Sequence, residues 1–262
     1  MKLIRLFIIT TTVFLTACAS SEKPHYILTD SELHQYEGGD KLNYNVLSLL
    51  NNAEFTGILS YNFESTTLLT PNNNTLDTLL RKTEVIGDIN FIFATPYFTQ
   101  SENGDLTLQA YSESGQTYWI AENDDSETGE IFYTSPLSDL TGQITINQIL
   151  HACDNSSCDE SGSTNIRLTA LGVETIETEY AKFDAYKFAL EWTADIHVND
   201  ETATIKNYSL IGFQWLYPAL GMVKFDYTLD SSSLNTQFGS NSLFGTLSNT
   251  NINIPATNKK TP

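Results

Sequence analysis

Asn207 to Leu229 reads NYSLIGFQWLYPALGMVKFDYTL, and the fold class turns on how this stretch divides. Before Pro218, the residues Ser209, Ile211, Phe213, Trp215 and Tyr217 alternate with Tyr208, Leu210, Gly212 and Gln214. After it, Val223, Phe225, Tyr227 and Leu229 alternate with Met222, Lys224, Asp226 and Thr228. A period of two is the period of a strand. Proline cannot donate to a central ladder and glycine admits positive φ, so YPALG reads as a tight connection between two strands.

The same period recurs upstream. In TGILSYNF, Ile58, Ser60 and Asn62 oppose Leu59, Tyr61 and Phe63; in DINFIF, Ile89, Phe91 and Phe93 share a face. In YKFALEW, Tyr186, Phe188, Leu190 and Trp192 make an unbroken aromatic and aliphatic side. SENGD before LTLQAY and SESG before QTYWIA have the composition of hairpin turns. One stretch has helical spacing instead: TLDTLLRK, Thr75 to Lys82, places Leu76, Leu79 and Leu80 on one side behind Asn72 to Asn74. These patterns predict an all-β, or β-rich α+β, fold: a curved antiparallel sheet, half-open or closed as a barrel, with at most one or two short helices. Curving the sheet also removes exposed edges.

The N-terminus reads as a targeting segment. Lys2 and Arg5 precede an apolar run from Leu6 to Leu15, and Leu15-Thr16-Ala17-Cys18 ends it in small residues and a cysteine. The run is shorter than the roughly 20 apolar residues a membrane-spanning helix needs. It resembles a bacterial lipoprotein signal. That resemblance implies removal of residues 1–17 and lipidation of Cys18, whose several acyl chains anchor the chain durably at about 0.8 kcal/mol per buried CH₂. It further implies sorting to the outer membrane, because Ala19 stands where an aspartate would favour retention at the inner one. The remaining expectations are a tether over residues 18–37, an antiparallel β domain over 38–230, and a loosely held tail over 231–262, rich in Ser, Asn and Thr.

The chain carries 13 basic and 32 acidic residues, a formal charge of −19. Losing Lys2 and Arg5 with the signal leaves −21. Such a surface excludes nucleic acid as an expected partner, since binding it requires Lys and Arg to neutralise phosphates. Net charge of this size keeps an exported protein dispersed.

Beyond Cys18 the only cysteines are Cys153 and Cys158, in HACDNSSCDE. Outside the reducing cytosol, two cysteines separated by four polar residues are read as a disulfide closing a short loop. A zinc site with His151 would lack a fourth ligand. The acidic run AENDDSETGE, Ala121 to Glu130, offers oxygen ligands of the kind calcium takes, but it lacks the glycine of an EF-hand loop. No serine elbow, phosphate loop, H-E-x-x-H pair or dinucleotide fingerprint occurs. No cofactor and no metal are expected.

The 207–229 segment resembles W-x-x-P-G-φ-G-φ-V-K, with φ apolar, the closing signature of a family of secreted and lipoprotein β domains of bacteria. Trp215, Pro218, Gly221, Val223 and Lys224 occupy its positions, with Ala219 in place of the first glycine. Upstream, Val173 to Phe188 is similar to that family's V-x-T-x-x-G-T-F strand, and Gly38 to Ser48 to its G-(D/N)-x-W-x-Y-x-V opening. The resemblance implies a curved antiparallel sheet, and structural roles for the five signature residues.

The expected function is non-enzymatic: a module held on the envelope by its lipid, contacting another envelope protein. The alternative is a carrier of a lipid or other apolar ligand in the concavity of the sheet, with Phe91, Phe93, Tyr186, Phe188, Leu190 and Trp192 as its walls. A hydrolase of envelope polymers ranks third.

Overall fold

The computed structural model describes residues 23–29, 33–50, 53–70, 74–87, 89, 95–113, 116–121, 130–133, 137–139, 141–153, 158–198, 204–230 and 241–260. They contain strands and two single-turn 3₁₀ segments, Leu137–Asp139 and Ala256–Asn258. In chain order the strands are β1 (His25–Tyr26), β2 (Lys41–Leu50), β3 (Ala53–Leu69), β4 (Thr75–Gly87), β5 (Thr95–Gln100), β6 (Leu106–Glu113) and β7 (Gln116–Ala121). Then come β8 (Glu130–Tyr133), β9 (Gln143–Cys153), β10 (Cys158–Glu177), β11 (Lys182–Val198), β12 (Thr204–Tyr217), β13 (Gly221–Asp230) and β14 (Asn241–Thr250).

All belong to one curved sheet. Pairing passes from β11 through β10, β9, β7, β6, β5, β4, β3, β2, β14 and β13 to β12, and β12 lies beside β11 again, from Leu216 opposite Tyr186 to Thr204 opposite Val198. Only β1 pairs in parallel, on β11. The sheet therefore curls round on itself. β4 and β5 are joined by two residue pairs, Leu79 facing Phe98 and Leu80 facing Tyr97.

The period of two explains the core. Leu42, Tyr44 and Val46 of β2 point inward with Leu59, Tyr61 and Phe63 of β3, while Val223, Phe225 and Tyr227 of β13 meet Leu243 and Leu247 of β14. Gly245 is needed opposite Phe225, because any Cβ there would run into that ring. A second, smaller cluster of Phe98, Leu106, Leu108, Tyr118, Ile120 and Ala194 fills the far side, and Tyr36, Tyr133 and Trp192 pack against both.

Three expectations are corrected. Thr75 to Lys82 is strand, not helix: it opens β4, which pairs with β3 along its length from Thr75 opposite Leu69 to Gly87 opposite Gly57. Continuous cross-strand pairing outweighs the local leucine spacing. Of the expected loose tail over 231–262, the described residues 241–260 are not loose. β14 lies between β2 and β13, in the middle of the sheet, and Ile252 and Ile254 after it are buried. Nor are the described residues of the expected tether, 23–29 and 33–37, free. The Lys182 amide donates to Pro24 and the Ile27 amide to Asn258, so the first strand is stitched between β11 and the C-terminal segment. Leu33 is buried, and the His34 amide donates to Pro218.

Candidate functional site

The signature residues form the connection and the outer flank of β12 and β13. Gly221 has φ +83°, and a Cβ there would collide with the Tyr36 hydroxyl, so both the turn and its neighbour require glycine. Val223 is fully buried. Trp215 lies on the outer face opposite Lys187 and Lys224, yet is only 4% exposed. Its indole N–H donates to Glu174 Oε2 at 2.9 Å, and the ammonium groups of Lys224 and Lys187 sit 4.2 and 5.0 Å from its ring centroid. The indole hydrogen bond, with Lys187 next, holds the Glu174 carboxyl below its usual range. Trp215 and Leu216 are buried on opposite sides by the ordinary alternation of a strand, and the register shift between them leaves Val223 as the extra residue on β13. This arrangement packs a ring under charged stems.

The inner face has a different chemistry. Tyr36 stacks on Phe63 with centroids 4.1 Å apart and donates from its hydroxyl to the Leu220 carbonyl. Tyr44 donates to the Met222 carbonyl. Tyr227 donates to Gln214 Oε1, whose amide nitrogen donates in turn to the Tyr133 hydroxyl at 2.8 Å. Among these phenols stands one cation. The register places Arg81 opposite Phe63, on the inward side of β4, with its guanidinium 4.4 Å from the Tyr61 ring centroid and 5.8 Å from that of Phe98.

Burial pushes the phenols of Tyr36, Tyr44, Tyr61, Tyr111, Tyr133 and Tyr227 above their ordinary range, and the Arg81 charge opposes that shift in all six. The guanidinium is thus central to the group. The hydroxyls stay protonated at neutral pH and can donate hydrogen bonds. Arg81, Tyr36, Tyr111 and Tyr133 are partly buried, neither closed off completely nor exposed.

Of the expected apolar walls, Tyr186, Phe188, Leu190 and Trp192 do share the inner side of β11. There Phe188 and Leu190 are buried in the main core, and Tyr186 and Trp192 are partly buried against it. Phe91 and Phe93 lie outside the described residues, as do Cys18 and residues 122–129 of the acidic run. Cys153 and Cys158 are direct partners across the β9–β10 hairpin; their side chains are outside the description. Among the described residues no three His, Cys, Asp or Glu side chains come together as metal ligands.

Arg81, Thr83 and the tyrosines around them were not among the expected site residues. A period-two reading of 75–87 would have put Leu79, Arg81, Thr83 and Val85 on one side, with an arginine conspicuous in an inward row.

No family model matches the chain, and no curated protein does. Among solved structures, a Bacteroides fragilis protein described as exported and of YmcC-like fold is 11% identical, with 84% of this chain and 99% of that one covered at a TM-score of 0.29. The hypothetical lipoprotein YmcC of Escherichia coli is 9% identical, with 82% and 89% covered at 0.28. A protein of Parabacteroides distasonis described as a lipoprotein is 13% identical, with 83% and 97% covered at 0.25.

Proposed function

We propose that this chain is a lipid-anchored, non-enzymatic binding module of the bacterial envelope, working from the outer membrane. The observation that carries the binding role is the inner face: protonated phenols around the Arg81 guanidinium, several of them only partly buried. Such a surface suits holding a ligand by hydrogen bonds and ring contacts. The anchor rests on Leu15 to Cys18. Because Lys23 already bonds to the Thr178 carbonyl, only residues 19–22 separate Cys18 from the domain, which would sit close against the bilayer.

The Cys153 to Cys158 disulfide belongs to the same reading. Directly opposed residues of an antiparallel pair have Cα atoms about 4.5–5.5 Å apart, inside the range a disulfide spans.

Mass spectrometry of the protein from envelopes tests the whole reading. The expected mature chain begins at Cys18, carries acyl chains and is two hydrogens lighter than the dithiol form. Cys18→Ala should move it from the outer-membrane fraction to the soluble periplasm. An unacylated wild-type chain, or a variant that fractionates unchanged, would overturn the anchor. The second reading, a carrier of an apolar ligand, is favoured by Tyr36, Tyr111 and Trp192 being partly accessible around the inner face. Native mass spectrometry of the unacylated chain separates them: a co-purifying lipid supports the carrier.

A further inference from the structure

We propose that Arg81 and Thr83, on the inward side of β4, form a binding site for an oxyanion, the carboxylate or phosphate group of a ligand whose body lies against the neighbouring rings. The proposal rests on the binding-module reading and names the chemistry of its ligand.

Four observations carry it. The Arg81 Nε–H is buried and has no hydrogen-bond partner. The Thr83 hydroxyl is in the same condition. Positions 81 and 83 share one face of the strand, about 7 Å apart, close enough for the oxygens of one anion to meet both. Finally, no carboxylate among the described residues pairs with Arg81 in a chain with 32 acidic residues. The contrast with its neighbour is direct: Lys82 points outward and is matched by Glu64 at 2.6 Å.

A buried donor left unmade is costly, and a guanidinium more so, because it can never shed its charge. Ring contacts with Tyr61 and Phe98 hold the plane of the guanidinium without using its N–H groups. The unpartnered Nε–H belongs to a fork of donors whose geometry matches a carboxylate or phosphate. Thr83, opposite Tyr61 on β3, adds a neutral donor of the kind that completes such sites. The rings supply a surface for whatever carries the anion.

The test uses the complete mature polypeptide secreted as Cys18→Ser, with the arginine Nε–H signals followed by NMR. Decanoate, decanol and inorganic phosphate are the probes. Decanoate is expected to shift the Arg81 Nε–H signal saturably. Arg81→Gln should weaken decanoate by about tenfold or more, and Thr83→Val by a few fold, with unchanged circular dichroism. Equal binding by phosphate would assign the site to free oxyanions; preference for decanoate would assign it to amphiphile heads; either supports the oxyanion chemistry. Decanol binding as tightly as decanoate would overturn it, as would an Nε–H signal that no anion moves. Should Arg81→Gln fail to fold, the wild-type signal and Thr83→Val still decide. The site can fail while another ligand is found by native mass spectrometry, which leaves the module standing; loss of the anchor is read separately from Cys18→Ala.

Discussion

At Trp215 one side chain shows how an outward position can be buried. The indole is closed over by two lysine stems and tied to Glu174, so it packs as a core residue on the wrong side of the sheet. Trp215→Ala should destabilise the fold by about 3 kcal/mol, in the range of large-to-small core substitutions. Trp215→Phe keeps the ring but loses the indole donor, and should cost about 1 kcal/mol. Urea unfolding of both variants checks this; equal losses would mean that the hydrogen bond, not the ring, matters. The alternation in 207–229 correctly set Trp215 beside Phe213 on one flank, where their centroids are 6.2 Å apart. It could not show that Lys187, from β11, would come to cover it.

Among the elements, β4 and β14 are where local sequence and sheet disagree. The leucines at 76, 79 and 80 fit a helix, but β3 offers β4 a partner at every residue, and the inward row that results brings Arg81 over Tyr61. β14, NSLFGTLSNT, looks unremarkable because most of its residues are polar, yet Leu243, Gly245 and Leu247 all face inward and both its edges are paired. A chain ending at Asp230 would leave β2 and β13 with open edges and uncover Phe225. Such a truncation is expected to be insoluble or degraded in the envelope, whereas one ending at Lys260 should accumulate as the full chain does. Soluble, cooperatively melting protein ending at Asp230 would contradict this.

For the molecule as a whole, the phenols set an alkaline limit. Tyrosines raised above their ordinary range in the folded state contribute stability that is complete below pH about 10, where unfolded tyrosines ionise, and that is lost as pH rises beyond it. Tyrosinate absorbance of the inner-face group should therefore rise only together with loss of the fold, above pH about 10. Titration of all 13 tyrosines in one wave with the fold intact would refute the arrangement. By itself the sequence determined the strand period, the turn at Pro218 to Gly221 and the antiparallel all-β class, because these follow from side-chain alternation and from what proline and glycine permit locally. Only the tertiary structure decided that β14 enters the middle of the sheet, that the first strand is stitched to β11, and that Arg81 stands among tyrosines with no carboxylate partner among the described residues. Those facts depend on which strands become neighbours, and contacts between residues far apart in the chain leave no local periodicity to read.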